Sequence, residues 1–100
     1  MGLEELCSII APGSKKIQEK VASLLICLRE KPKTREELME ELAIPRKQLE
    51  YLISKVRRCG IVQGLRQNNK YYYYLSYDGF YMYWKRIKDT AYNLIKRGRI

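Results

Sequence analysis

The sequence contains no histidine. That removes the side chain best suited to moving protons near neutral pH, and with it the commonest metal ligand. Cysteine is scarce. Cys7, Cys27 and Cys59 lie too far apart for the short-spaced pairs of a zinc knuckle, and an odd number makes a poor disulfide framework. They are expected as small apolar core residues; a disulfide stays open for a source in which intracellular disulfides persist. Long apolar runs are missing too. The longest uncharged apolar run, Val21 to Leu28, falls far short of the roughly 20 residues a membrane span needs. Glu4 and Glu5 stand where a secretory leader carries basic residues, so a cytoplasmic location is expected. No glycine-rich phosphate loop is present, and carboxylates nearly vanish from the second half. The chain is therefore expected not to be an enzyme, and to have no cofactor, no metal and no membrane partner.

What the chain has in excess is positive charge. It carries 20 Lys and Arg against 11 Asp and Glu in 100 residues, a net +9. The surplus is one-sided. Residues 1–50 hold 9 basic and 9 acidic groups, whereas residues 51–100 hold 11 basic groups against Asp78 and Asp89 alone. A localised basic surface attracts a polyanion, because neutralising phosphates releases their condensed counterions. This favours nucleic acid as the partner.

The apolar spacing predicts five helices and a hairpin in one domain. Leu3, Leu6, Ile9 and Ile10 share a face of a short helix within 2–11, which Pro12-Gly13-Ser14 interrupts. Ile17, Val21, Leu24, Leu25 and Leu28 mark an amphipathic helix over 15–30, closed by Lys31-Pro32-Lys33. Thr34 and Glu37 form a capping box for a helix over 35–42 that buries Leu38, Leu42 and Met39. Ala43-Ile44 is a short turn, and Pro45 suits the first position of the next helix, which runs to about Cys59. Leu49, Leu52, Ile53 and Val56 define its buried side, and Gly60 closes it. Ile61–Arg66 and Lys70–Leu75 then read as strands around Gln67-Asn68-Asn69. The four rings of Tyr71 to Tyr74 alternate sides, so at most half pack inward. Ser76 caps a last helix over 77–97.

Thr34 to Leu38, Leu42-Ala43-Ile44, then Leu49, Ile53, Val56 and Cys59-Gly60-Ile61-Val62, resemble the helix-turn-helix core of small winged-helix transcription regulators of the MarR, ArsR and PadR kind. Tyr73 to Gly79 resembles the segment in which those proteins leave the wing and enter their last helix. The resemblance covers roughly residues 15–80. It implies an α+β, mainly helical fold: a winged helix-turn-helix with a two-stranded wing and a long C-terminal dimerisation helix. The division is then a helical extension (1–13), a DNA-binding winged helix-turn-helix domain (14–76) and a dimerisation helix (77–100). Metal sensing of the ArsR type finds no Cys-x-Cys pair or histidine cluster here.

The helix over 45–59 would enter the major groove, about 12 Å wide, with its apolar side braced from behind. At 100° per residue its outer side carries the candidate DNA contacts. Arg46, Lys47, Gln48 and Tyr51 are expected near base edges, and Ser54, Lys55 and Arg58 nearer the phosphates. Glu50 works against phosphate contact. Arg66, Asn69 and Lys70 at the wing tip suit phosphate or the minor groove, and Lys33 and Arg35 suit a further phosphate. Tyr77, Phe80, Trp84, Ile87, Ala91 and Leu94 recur at steps of three and four, a stripe fit for a homodimer joined through this helix and the first one. The leading expectation is a sequence-specific double-stranded DNA-binding transcription regulator acting as a homodimer. The alternatives are a winged-helix protein-interaction module of a transcription or assembly complex, and an architectural protein that binds nucleic acid without sequence preference.

Overall fold

The structure is a computed structural model that describes residues 2–97. Residue 1 and residues 98–100, at the outer ends of the expected 1–13 and 77–100 segments, lie outside the described residues. The elements run α1 (Leu3–Ile10), α2 (Lys15–Glu30), β1 (Lys33–Thr34), α3 (Arg35–Leu42), α4 (Arg46–Arg58), β2 (Val62–Gln67), β3 (Lys70–Leu75) and α5 (Tyr77–Arg97). This is the expected winged helix, with one addition. The hairpin gains a short third strand, giving the antiparallel order β1-β3-β2. Lys33 pairs with Tyr73 and Thr34 with Tyr72, so the chain entering the helix-turn-helix is stitched to the root of the wing.

The core forms where the apolar sides of α2, α3 and α4 meet the inner face of the sheet. Leu24, Leu38, Leu49, Leu52, Val21, Val56 and Val62 are almost wholly out of water. Each such leucine contributes about 1.5–3 kcal/mol relative to an exposed one. All three cysteines are buried free thiols in this core. Tyr73 is buried while Tyr71 is exposed, because the core ends before the wing tip.

Local chemistry sets the boundaries. Ser14 caps α2 by accepting from the Ile17 amide at 3.3 Å. Thr34 and Glu37 make the reciprocal capping box of α3. Ala43 ends α3 in the left-handed region, φ 53°, which costs a residue with a β-carbon about 1 kcal/mol or more but gives the tight turn into α4. Pro45 is the cap of α4 rather than its first residue. Its φ suits a helix, but its ψ of 162° is extended, and its carbonyl accepts the first helical bond from Leu49 at 3.1 Å. Asn68 and Asn69, at φ 53° and 64°, form the two-residue turn whose twist matches a hairpin.

Helix α5 is rooted at one point. Ser76 caps it by accepting from the Gly79 amide at 3.0 Å. There the α4–β2 turn crosses the first turn of α5 on bare backbone. Gly60 has φ +78°, and a β-carbon on it would collide with the Gly79 carbonyl; one on Gly79 would collide with the Gly60 carbonyl and the Gln63 amide. Beyond Phe80 and Tyr83, which are half-buried, the helix runs clear of the core, and none of its described residues is buried.

Gly79→Ala separates this crossing from ordinary helix propensity. Alanine in a free helix gains about 1 kcal/mol over glycine. At this position it is expected to lower the denaturation midpoint, by about 1–3 kcal/mol of overpacking. Urea titration followed by circular dichroism checks it, and a stabilised variant would contradict the crossing.

Candidate nucleic-acid interface

Helix α4 is sharply two-sided. Leu49, Leu52, Ile53 and Val56 are buried, while Arg46, Lys47, Tyr51, Ser54 and Arg58 are exposed on the other side; Gln48 and Lys55 are half-buried between. The two ends of the helix differ in charge balance. Lys55, Arg57 and Arg58 in the last turn suit the negative end of the helix dipole. The first turn has no acidic residue and no side-chain cap, and it carries Arg46 and Lys47. Cations at the positive end of a dipole are unfavourable by roughly 0.3–1 kcal/mol each, and an anion placed there would offset that cost. The N-terminus of α3 is the opposite case, closed by its capping box and by Glu36 and Glu37 in the first turn.

Glu50, which opposes phosphate contact, has a local role. It accepts from Arg46 Nε at 3.0 Å, one turn earlier, in a pair exposed on both sides. Such a pair contributes at most a few tenths of a kcal/mol, but it steers the guanidinium. Ser54 donates its hydroxyl proton to the Tyr51 carbonyl at 2.6 Å, leaving its oxygen as an acceptor only.

The remaining candidates fall into two groups. Arg35, Arg66, Asn69 and Lys70 line one groove between the start of α3 and the wing, together with Arg57. Arg57 is absent from the residues the sequence singles out. It sits beside buried Val56, at the edge of the helical wheel, and only the position of the wing makes that edge part of a groove. Lys55 and Arg58 also border an apolar groove of about 380 Å³ between α1, the end of α4 and α5, with Leu6, Phe80 and Trp84. The Lys55 ammonium also lies 5.3 Å from the centre of the Tyr51 ring.

Lys33 requires correction. It is not a surface cation available to phosphate. Its side chain is 3% exposed, and its ammonium donates to Glu41 Oε1 at 2.7 Å, Glu30 Oε1 at 3.0 Å and Cys27 Sγ at 3.4 Å. Pairing of β1 with β3 turns the side chain inward, and the two carboxylates compensate its charge. The hydrogen bond from Lys33 holds the Glu41 carboxyl below its ordinary range, and the bond to Glu41 raises Lys33 above its own. Burial pushes the thiols of Cys7, Cys27 and Cys59 up, so they stay protonated. Among the described residues no group of three His, Cys, Asp or Glu is placed to hold a metal ion, and no helix is long and apolar enough to cross a membrane.

No protein-family model matches the chain, and no curated protein does. Solved structures do. The transcriptional regulator HlyU from Vibrio vulnificus CMCP6 aligns with a TM-score of 0.58 at 20% identity, over 89% of this chain and 88% of that one. HlyU from Vibrio cholerae N16961 aligns with a TM-score of 0.55 at 18% identity, over 80% and 84%. At these identities the likeness shows a shared fold, and it extends over nearly the whole described chain.

The Lys33 network has a pH signature. Glu41 has a lowered value, so its contribution is present above the ordinary 4.5 and is lost as pH falls through the folded value. Lys33 has a raised value, so its contribution is complete below 10.5 and is lost only as pH climbs past the folded value. Glu41→Gln is expected to lower the urea midpoint at neutral pH, and by more than Glu30→Gln, because Glu41 is nearer and 43% exposed against 72%. The deficit should shrink as pH falls below the ordinary 4.5 and through the lowered folded value, where the native carboxylate is itself protonated. Equal deficits at both pH values would contradict the assignment.

Proposed function

We propose that the chain is a sequence-specific double-stranded DNA-binding transcription regulator acting as a homodimer. The observation that carries the DNA reading is the first turn of α4: uncapped, free of acid and bearing Arg46 and Lys47, on a helix whose other side is wholly buried. In this reading α4 lies in the major groove, with Arg46, Lys47, Gln48 and Tyr51 toward base edges. Ser54, Lys55 and Arg58 lie toward the backbone, and Arg66, Asn69 and Lys70 of the wing take phosphates beside it. Residues 14–76 do the binding, and the segment 77–100, which contains α5, joins the copies. The two HlyU structures support a regulator through their fold, as does the basic second half of the chain.

The dimer reading rests on what α5 leaves uncovered. Trp84 is 50% exposed, Ile87 42% and Leu94 73%, with Tyr77 and Ala91 exposed on the same stripe and Phe80 half-buried at its root. Leu3 and Ile9 of α1 are exposed as well. Large apolar side chains at helical spacing in water favour a partner that covers them. A second copy does so symmetrically, and would set two α4 helices toward half-sites about 34–36 Å apart.

Replacing Lys47 and Arg66 together by Ala is expected to weaken duplex binding about 10- to 100-fold and to lower the salt slope by about two, without changing the dimer. Fluorescence anisotropy across a salt series measures this; unchanged affinity would contradict the assignment. Light scattering should find the wild type dimeric and Trp84→Glu monomeric. A monomeric wild type would overturn the dimer. Recovery of one pseudo-palindromic motif from a random oligonucleotide pool is the expected outcome for an operator reader, and indiscriminate recovery that for an architectural protein.

A further inference from the structure

The groove between the wing and the start of α3, about 870 Å³ in volume, gathers cations from four elements: Arg35 of α3, Arg57 of α4, Arg66 of β2 and Lys70 of β3. None of the four enters an ion pair among the described residues. Two carboxylates, Glu36 and Glu37, also line it. Glu37 is already committed, accepting from the Thr34 amide at 2.9 Å, a bond that holds its carboxyl below the usual range. Four cations against two carboxylates leave the groove with a net positive charge. Like charges held together in this way repel one another until an anion enters.

The wall of the groove is shaped by packing. Gly64 lacks a β-carbon, and the Tyr71 hydroxyl occupies the space one would fill. The phenol therefore lies back along the wing, with its ring edge-on to Tyr73 at 5.3 Å. Tyr71 is also the cross-strand partner of Arg66 and lines the groove, so it brings a hydroxyl, a common phosphate donor, to the wing. Arg66, Asn69, Lys70 and Tyr71 are all exposed, so the groove is open along the wing. An open cationic groove suits a segment of a long polyanion better than a small anion, because the polyanion adds counterion release to each contact.

We propose that this groove is a backbone-phosphate site, in which Arg57 reaches from the wing-side flank of α4 and, with Arg35, Arg66 and Lys70, holds a phosphodiester of the duplex that α4 reads. The assignment rests on the DNA-binding reading and adds a residue to it. Arg57 lies about 100° around the helix from Arg58, so it grips the strand on the wing side while the outer side of α4 faces the bases. Arg57 then contributes affinity and not sequence preference.

Anisotropy titrations of a fluorescent duplex across about 50–200 mM salt test this with Arg57→Ala, Arg57→Lys, Lys47→Ala and Lys85→Ala. Lys85→Ala removes the same charge from exposed α5, outside the groove. Arg57→Ala should weaken binding several-fold and equally on unrelated duplexes, and lower the salt slope by about one. Arg57→Lys should keep the slope, and Lys85→Ala should match the wild type. If Arg57→Ala matches the wild type while Lys47→Ala weakens binding, the groove holds no phosphate and the DNA reading stands. Equal weakening by Arg57→Ala and Lys85→Ala would reduce the effect to net charge and overturn the site. A wild type that binds no duplex would remove both readings together.

Discussion

The structure depends on the way α4 is held. Four side chains, Leu49, Leu52, Ile53 and Val56, are withdrawn from water on one side of a 13-residue helix. Because they occupy the positions a 3.6-residue period demands, the helix cannot roll without exposing them. Their burial fixes which residues face outward, and those are mostly cationic. It also leaves a helix start that its own sequence does not neutralise. α3, whose start is closed by a capping box and acidic residues, and α4, whose start has no side-chain cap and no acid, stand side by side in one motif. That contrast is the best physical reason to assign the second of them to an anionic partner.

The wing and the last helix are placed by backbone contacts as much as by side chains. β1 ties the entrance of the helix-turn-helix to β3 through two residues. The Gly60–Gly79 crossing ties the end of α4 to the start of α5 with no side chain between them. One consequence is that Lys55 and Arg58, at the end of α4, border the apolar groove against α1 and α5. In a dimer formed through that groove they would sit where the proposed DNA face and the proposed joining face meet.

Much of this was legible in the sequence where the information is local. The capping box of Thr34 and Glu37, the Gly60 stop, the Asn68-Asn69 turn and the buried side of α4 follow from spacing and turn chemistry, and the structure has each of them. Apart from the place of Pro45 at the start of α4, the differences come from pairing over distance. β1 is two residues long and has no period; only its partner, some forty residues on, makes it a strand. That same pairing buries Lys33, which in a Lys-Pro-Lys run reads as solvated, and its partner Glu41 is eight residues away. Arg57 reads as the boundary of a helical wheel until the wing lies beside it.

Backbone amide shifts recorded while the labelled protein is titrated with duplex DNA test the central claim most directly. The account predicts perturbations concentrated on α4, Arg46 through Arg58, and on the wing between Arg66 and Tyr71, with the buried middle of α2 nearly still. Shifts confined to α1 and α5, or none at saturating duplex, would contradict it.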